Sequence, residues 1–227
     1  MDIKELMSAS KYLNDKNINR GSSGNLSFRS KAGFIVTPSS LPNDKLTEKS
    51  CVEMNFDGTY KNKFKPSTEW KIHRDIYLKR KDVKAIIHTH PTSSTAIACM
   101  NINIPAFHYM IAVAGGDSIR CAKYATFGTE QLSKNVLKAL ENRNTCLMAN
   151  HGLIVVEKDL ETALKLTEEV ENLSMQFLQI LKSGKKPILL SKSEMKKNIK
   201  KIKDYNYGKA WIYTLNKKWT ISPSFIK

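Results

Sequence analysis

The stretch IIHTHP, residues 86–91, places two of the chain's five histidines one residue apart after an apolar run. Together with the residues before it, VKAIIHTH over 83–90, it predicts a buried strand. Residues two apart on a strand point to the same face, so His88 and His90 should face together, about 6.5–7 Å apart at Cα. This spacing is typical either of a strand with one polar face or of one half of a metal site.

A third histidine lies far along the chain. His151 is in ANHGLIV, residues 149–155, on a glycine-containing turn between two apolar segments. Such a turn can bring a side chain close to a ligand, so His151 is a candidate third metal ligand. The other two histidines, His73 and His108, are interpreted as packed or surface imidazoles.

One carboxylate has a comparable position. Glu69 lies in PSTEW, residues 66–70, where the sequence predicts the first turn of a helix over 67–80. The helix dipole favours a carboxylate there, which is a purely structural role. Beside a divalent cation, Glu69 can instead be a ligand or a general base.

Three short polar loops share hydroxyl groups and exposed backbone amides. They span residues 22–25, 37–40 and 66–68, and the third opens a predicted helix, whose N-terminus favours anions. Ordinary turns have the same composition, so each loop alone indicates little. Their recurrence beside the metal candidates suggests phosphate. The candidate phosphate-binding residues are Gly24, Asn25, Ser39, Ser40, Ser67 and Thr68.

Composition limits the class of protein. The chain has 227 residues, 41% hydrophobic and 26% charged, which fits one globular domain. It has no apolar run of transmembrane length, and the N-terminal segment does not resemble a signal peptide. The four cysteines form no CxxC pair and are expected to be reduced. We therefore predict a cytoplasmic protein without a membrane partner.

A net charge of +16 raises nucleic acid as an alternative partner. However, the lysines are spread along the chain, and the sequence contains no RRM, KH or zinc-finger pattern. We interpret them as a solvated surface that also attracts an anionic substrate, and we expect no nucleic-acid partner. Neither GxGxxG nor a P-loop occurs, so no nucleotide cofactor is expected.

Strands and helices alternate along the chain. Two close strand pairs, within 26–37 and 145–156, predict antiparallel hairpins. Helices are predicted over 3–15, 67–80, 92–100, 129–142 and 159–182. This order indicates a mixed α/β fold with a largely antiparallel sheet.

Five segments, in this order and spacing, resemble the class II aldolase/adducin family: GSSGNLS, VTPSS, PSTEW, AIIHTHP and ANHGLIV. The block 104–129 is most similar to the L-fuculose-phosphate aldolase branch. The resemblance implies an α/β/α three-layer fold with a central, mostly antiparallel sheet and helices on both faces. It covers a domain over 1–207 and leaves 208–227 as a C-terminal extension of unknown role. It also implies a homotetramer with active sites at subunit interfaces.

The resemblance further implies roles for individual residues. His88, His90 and His151 would hold a zinc ion, and Glu69 would be the acid/base and also touch the metal. Tyr109 would be the proton donor toward the aldehyde. The three polar loops would bind the substrate phosphate. Aromatic residues near the site would be Phe127 and Tyr205.

The implied reaction is zinc-dependent cleavage of a ketose 1-phosphate, with L-fuculose 1-phosphate giving dihydroxyacetone phosphate and L-lactaldehyde as the first candidate. Alternatives are an aldolase for another deoxyketose 1-phosphate, a ribulose-phosphate 4-epimerase and a methylthioribulose-phosphate dehydratase. Those epimerases carry Asp where this chain has Glu69. A non-enzymatic, adducin-like assembly module is disfavoured because all three histidines and Glu69 are present. One departure is Ser40, which replaces the glycine common in the family loop.

Overall fold

The structure is a computed structural model and describes residues 1–204, so Tyr205 and the predicted boundary at 207/208 lie outside the described residues. Six α-helices are described: α1 (Ile3–Asp15), α2 (Trp70–Lys79), α3 (Thr92–Cys99), α4 (Glu130–Ala139), α5 (Leu160–Lys182) and α6 (Lys192–Asp204). The strands are β1 (Asn25–Arg29), β2 (Gly33–Val36), β3 (Val52–Asn55), β4 (Ala85–Thr89), β5 (Arg120–Ala122), β6 (Thr145–Met148) and β7 (Gly152–Glu157).

The strands form one sheet in the order β3-β2-β1-β4-β7-β6-β5. Among the described strands, β5 and β6 pair in parallel, and the other five neighbouring pairs are antiparallel. Both predicted hairpins are present, as β1–β2 and β6–β7. The prediction of a mostly antiparallel sheet is therefore confirmed, and β4, which carries His88, lies at its centre.

Helices cover both faces of the sheet, which confirms the three-layer architecture. Successive strand residues point to opposite faces, so Ile87 packs on one side of β4 and Ile86 on the other. The first side joins residues of α1, α3, α5 and α6, and the second joins residues of α2 and α4. Burying each such isoleucine stabilises the fold by about 1.5–3 kcal/mol.

Helix α2 differs from the prediction at its N-terminus. The predicted helix over 67–80 begins only at Trp70, and Glu69 is its N-cap residue rather than part of the first turn. Residues 67–69 form a turn in which the Glu69 amide donates to Ser67 Oγ at 3.3 Å and the Trp70 amide donates to the Ser67 carbonyl at 3.1 Å. The Glu69 side chain makes no capping hydrogen bond, so its carboxylate can point toward the sheet.

Strands β3 and β5 and helix α6 were not predicted from the sequence. Strands β3 and β5 have four and three residues, too short for a clear alternation, and β5 depends on its pairing with β6. Helix α6 lies in the lysine-rich segment that was interpreted only as a charged surface. Its Met195, Ile199 and Ile202 pack against the core, while its lysines are exposed.

Helix α5 closely follows the prediction over 159–182. The Asp159 side chain accepts a hydrogen bond from the Thr162 amide at 2.7 Å, as expected of an N-cap. The helix ends at Lys182, where the predicted range also ends. Within the part of the chain that the structure describes, no helix combines the length and apolar character needed to cross a membrane.

Candidate metal centre and active site

The fold brings three histidines together. His88 is on β4, His90 follows the end of that strand, and His151 is on the turn between β6 and β7. The antiparallel register of β4 and β7, which pairs Thr89 with Leu153, places that turn beside the end of β4. One ring nitrogen from each histidine lies within 4.8 Å of the others.

Close packing at the turn requires a residue without a side chain. A Cβ atom on Gly152 would lie 2.5 Å from the Thr89 carbonyl oxygen and 2.6 Å from the His90 ring. Glycine therefore lets the turn approach β4 closely enough for His151 to meet His90.

A backbone contact fixes the orientation of His88. Its Nδ1 atom donates to the Leu153 carbonyl at 2.9 Å, so in the neutral ring Nε2 carries the lone pair. Nε2 lies 3.0 Å from His90 Nε2 and 3.1 Å from Glu69 Oε2. A single proton on Nε2 could serve only one of these contacts at a time, whereas a cation among these atoms would serve all of them.

The other two histidines, His90 and His151, are in the neutral form that metal binding requires. Burial, and then the nearby His88 ring, lowers the pKa of His90 to about 3 and that of His151 to about 4. At neutral pH both rings are therefore uncharged and present lone pairs, which metal binding requires. Burial acts in the same direction on His88, but the adjacent Glu69 carboxylate outweighs it and raises the pKa of His88.

The two oxygens of Glu69 have different surroundings. Oε2 accepts a hydrogen bond from Asn25 Nδ2 at 3.0 Å. Oε1 lies 3.3 Å from His151 Nε2 and is buried, with no hydrogen-bond partner among the described residues. Burial alone would raise the pKa of Glu69, but His88, His151 and Asn25 together hold it well below its ordinary value. Glu69 is therefore a carboxylate with one oxygen that makes no hydrogen bond to the described residues and faces His151.

This donor set fits a divalent transition metal. Zinc–nitrogen bonds of about 2.0–2.1 Å in a tetrahedral site place the nitrogens about 3.3–3.4 Å apart. The 3.0 Å separation of His88 Nε2 and His90 Nε2 is close to that value. Three imidazoles and one carboxylate suit zinc and its neighbours better than calcium or magnesium, which prefer oxygen ligands.

A cavity of about 370 Å³ opens above this cluster. Its lining includes His90, His151 and Glu69, while His88 lies beneath, 1% exposed. Every residue that the sequence suggested for phosphate lines the cavity: Gly24, Asn25, Ser39, Ser40, Ser67 and Thr68.

Of the aromatic residues predicted near the site, Phe127 lines the cavity and Tyr109 does not. Phe127 lines the cavity together with Tyr124, which the sequence analysis did not single out. Tyr109 begins a 3₁₀ helix over Tyr109–Ala114, is 52% exposed and does not line the cavity within the described residues. Tyr205 lies outside residues 1–204.

His73 is a packed imidazole, which is one of the two alternatives that the sequence left open for it. It is completely buried, and its ring contacts both Asn25 and Ser27 through hydrogen bonds. One signal was available, because Glu69, His73 and Tyr77 are four residues apart and therefore share one face of a helix.

Comparisons with known proteins identify the family of this chain. Residues 4–178 match the family described as the class II aldolase and adducin N-terminal domain. A 5-methylthioribulose-1-phosphate/5-deoxyribulose-1-phosphate aldolase of Rhodospirillum rubrum is 42% identical over 200 residues, which is 88% of this chain and 90% of the relative.

An L-fuculose phosphate aldolase of Escherichia coli K12 is 43% identical over 188 residues, covering 83% of this chain and 87% of the relative. A solved structure titled L-fuculose 1-phosphate aldolase superposes with a TM-score of 0.84 at 37% identity, covering 88% of this chain and 95% of that one. With the family match spanning most of the chain, the protein belongs to the class II aldolase and adducin family.

Proposed function

We propose that the protein is a zinc-dependent aldolase that cleaves a ketose 1-phosphate to dihydroxyacetone phosphate and an aldehyde. The observation that carries this proposal is the convergence of His88, His90 and His151 with Glu69 below a cavity of hydroxyl-rich loops. The relatives named above are aldolases for sugar 1-phosphates, and this supports the same class of substrate. The donor set supports zinc as the ion.

The three histidines would hold the ion, with Glu69 close enough to touch it. When bound, the ion polarises the substrate carbonyl and offsets the negative charge that develops on its oxygen. In cleavage Glu69 gives a proton to C3 once the C3–C4 bond has broken, and in condensation it removes that proton as the base. Its Oε1 atom, which has no hydrogen-bond partner among the described residues, is the oxygen that carries the proton.

The polar rim binds the phosphate in this proposal. Ser67 and Thr68 lie just before α2, where backbone amides and the helix dipole favour an anion. Gly24 and the Ser39–Ser40 loop form other parts of the same rim. A fixed phosphate holds C3 and C4 over the histidines and so lowers the entropy cost of the reaction.

Tyr109 acts from a neighbouring copy of the chain in this proposal. Its exposed ring lies outside the cavity of its own chain, which supports an active site completed at a subunit interface. The phenol donates a proton to the aldehyde oxygen during condensation, and in the reverse direction the phenolate accepts the proton of the C4 hydroxyl during cleavage. A homotetramer is the assembly that we expect, with Tyr205 as a further aromatic residue near the site.

L-fuculose 1-phosphate, which gives L-lactaldehyde, is our first candidate substrate. A second candidate is a 5-deoxypentulose 1-phosphate or its 5-methylthio analogue, favoured by the similarity to the R. rubrum aldolase. Both candidates end in an apolar group, and the aromatic wall of Phe127 and Tyr124 suits such an end.

A direct assay tests the proposal. The purified protein is incubated with each ketose 1-phosphate, and dihydroxyacetone phosphate is measured by a coupled reduction. We expect release from at least one substrate, loss after chelation and recovery with added Zn²⁺. If no ketose 1-phosphate yields dihydroxyacetone phosphate from metal-loaded protein, the proposed function is wrong.

Two smaller proposals complete this picture. We place the enzyme in the cytoplasm, because its four cysteines are free thiols and suit a reducing compartment. We also assign catalysis to a domain over 1–207 and treat 208–227 as an extension, which fits a family match ending at residue 178.

A further inference from the structure

A row of buried polar side chains leads from the core to Glu69. Helix α2 presents His73 and Tyr77 to the sheet, one and two turns after Glu69. Strand β1 presents Asn25 and Ser27 on the facing side. The exposure of these five residues lies between 0% and 7%, although most of the surrounding side chains are apolar.

Consecutive hydrogen bonds connect the row. Asn25 Nδ2 donates to Glu69 Oε2 at 3.0 Å, and Asn25 Oδ1 meets His73 Nε2. His73 Nδ1 lies 2.6 Å from Ser27 Oγ, which in turn lies 2.8 Å from the Tyr77 hydroxyl. Every polar side-chain atom in this row except Glu69 Oε1 therefore has a partner.

The carboxylate at one end sets the direction of the whole row. Because a carboxylate only accepts, the Asn25 amide must turn its NH₂ group toward Glu69 and its oxygen toward His73. His73 Nε2 then carries the proton, and Nδ1 must accept from the Ser27 hydroxyl. Ser27 in turn accepts from Tyr77. Burial lowers the pKa of His73 to about 3, which is consistent with a neutral ring.

We propose that His73 is a positioning residue for Glu69. Ser27 fixes the Nε2–H tautomer of His73, and this N–H holds the Asn25 amide with its NH₂ group toward Glu69 Oε2. Glu69 Oε1 is then left to take the substrate proton. This inference rests on the proposed function, since it assigns the reactive oxygen of the same base. In this arrangement Oε2 is held by Asn25, and Oε1 is the oxygen that reacts. If His73 carried its proton on Nδ1, the Asn25 amide would turn over and place its carbonyl against Glu69, which repels it.

A plain structural role makes a different prediction. If the row only satisfied buried polar groups, breaking it would lower stability and leave turnover unchanged in the folded protein. A positioning role lowers kcat while KM and metal content stay the same. The chain offers a matched control in Ser133, another fully buried serine, whose hydroxyl donates to Asp75 on the far side of α2.

The experiment compares Ser27→Ala, His73→Leu and His73→Gln with Ser133→Ala, all loaded with Zn²⁺. Each variant is measured for zinc content, thermal midpoint, kcat and KM. We expect kcat to fall about 10- to 100-fold in Ser27→Ala and His73→Leu, as for other partners of metal-site residues. His73→Gln keeps an N–H near Asn25 and should recover much of the loss. Ser133→Ala should lower the midpoint and keep kcat.

A second measurement does not depend on activity. Long-range ¹H–¹⁵N correlation on histidine-labelled protein reports which ring nitrogen of His73 carries the proton, and we expect Nε2. A proton on Nδ1 overturns the inference whatever the kinetics show. Unchanged kcat in both Ser27→Ala and His73→Leu also overturns it while the aldolase assignment stands; if His73→Leu does not fold, Ser27→Ala and His73→Gln decide.

The reverse result is wild-type protein that shows the expected His73 tautomer but has no aldolase activity. That result removes the proposed function and keeps the hydrogen-bond direction that the inference predicts. The two failures are therefore distinguishable.

Discussion

The floor and the rim of the cavity are built in different ways. The floor consists of Glu69, His88, His90 and His151, which lie on or directly beside strands and helix ends. His88 and Glu69 there are 1% and 7% exposed. The rim consists of the polar loops at 22–24, 39–40 and 67–68 together with Phe127, whose ring is 63% exposed.

The difference matches the two tasks proposed for the site. Groups that hold an ion and move a proton need fixed positions, which rigid elements and buried hydrogen bonds supply. Groups that bind a phosphate and an aldehyde must admit and release them, which exposed loops allow. Substitutions in the floor should therefore change metal content or turnover, and substitutions in the rim should change KM.

The largest expected effect is loss of a histidine from the floor. His151→Ala removes one of three candidate ligands, so zinc content should fall, and turnover should fall by more than the roughly 10- to 100-fold typical of ligand partners. Elemental analysis and the aldolase assay measure both. His108→Ala is the matched control for metal content, because the His108 side chain accepts a hydrogen bond from the Met110 amide at 3.2 Å and is not part of the histidine cluster. Full zinc occupancy in His151→Ala would remove it from the ligand set.

Replacing the base should separate chemistry from metal binding. Glu69→Gln keeps the shape of the side chain and removes its charge, so the three histidines should still hold zinc. Turnover should fall about 10²- to 10⁴-fold, as expected when a general base is lost. Glu157→Gln is the control, since Glu157 is a partly buried carboxylate at the end of β7 that bonds to Asn144 instead. Near wild-type turnover in Glu69→Gln would place the base elsewhere.

The sequence predicted which residues form the floor, but not how they come together in space. The spacing of His88 and His90 is local, and a strand over 83–90 was predicted from its own residues, although β4 ends at Thr89, just before His90. The meeting with His151 depends on the pairing of β4 with β7, which spans more than sixty residues and no local pattern encodes. The family resemblance supplied that connection, and the family assignment and fold class are confirmed.

Other features depended on contacts that a single sequence does not show. Glu69 was expected in the first turn of α2, but the turn formed by Ser67 delays the helix and leaves Glu69 as its N-cap. His73 was interpreted as a packed or surface imidazole, and it is packed, but its hydrogen bonds could not be predicted because its partners, Asn25 and Ser27, lie on a strand far back in the chain. The roles of the site residues stay predictions until the variants are measured.

In the rim, two glycines with positive φ allow the effect of steric crowding on stability to be measured apart from the effect of backbone conformation. Gly24 and Gly21 both have positive φ, +74° and +59°, but only Gly24 is crowded. A Cβ atom there would lie 2.6 Å from the His88 carbonyl oxygen, whereas one on Gly21 meets nothing within 4 Å. Gly24→Ala should therefore cost about 1–3 kcal/mol more in unfolding free energy than Gly21→Ala, as overpacking does.

Gly24→Ala should also raise KM for the ketose phosphate, since the clash moves the loop away from the cavity. Urea unfolding and steady-state kinetics measure the two effects. Equal stability and equal KM in the two variants would show that Gly24 is not held against β4 in solution.

The smallest effect is expected at Ser40, the residue that departs from the family loop. Its φ of +59° is unfavourable for a side chain, and its hydroxyl lies 3.3 Å from that of Ser39. Ser40→Gly relieves strain of about 1–2 kcal/mol. The larger entropy of glycine in the unfolded chain offsets about 0.5–1 kcal/mol of it, so a slight gain in stability should remain.

If the Ser40 hydroxyl binds phosphate, the same change should weaken competitive inhibition by inorganic phosphate, with kcat unaltered. Ser39→Gly, at a neighbour without positive φ, should lose stability and is the matched control. A Ser40→Gly variant that loses as much stability as Ser39→Gly would mean that the loop is not strained at Ser40. Unaltered inhibition would mean that the serine hydroxyl takes no part in binding, and the rim would then bind phosphate through its backbone amides and remaining hydroxyls.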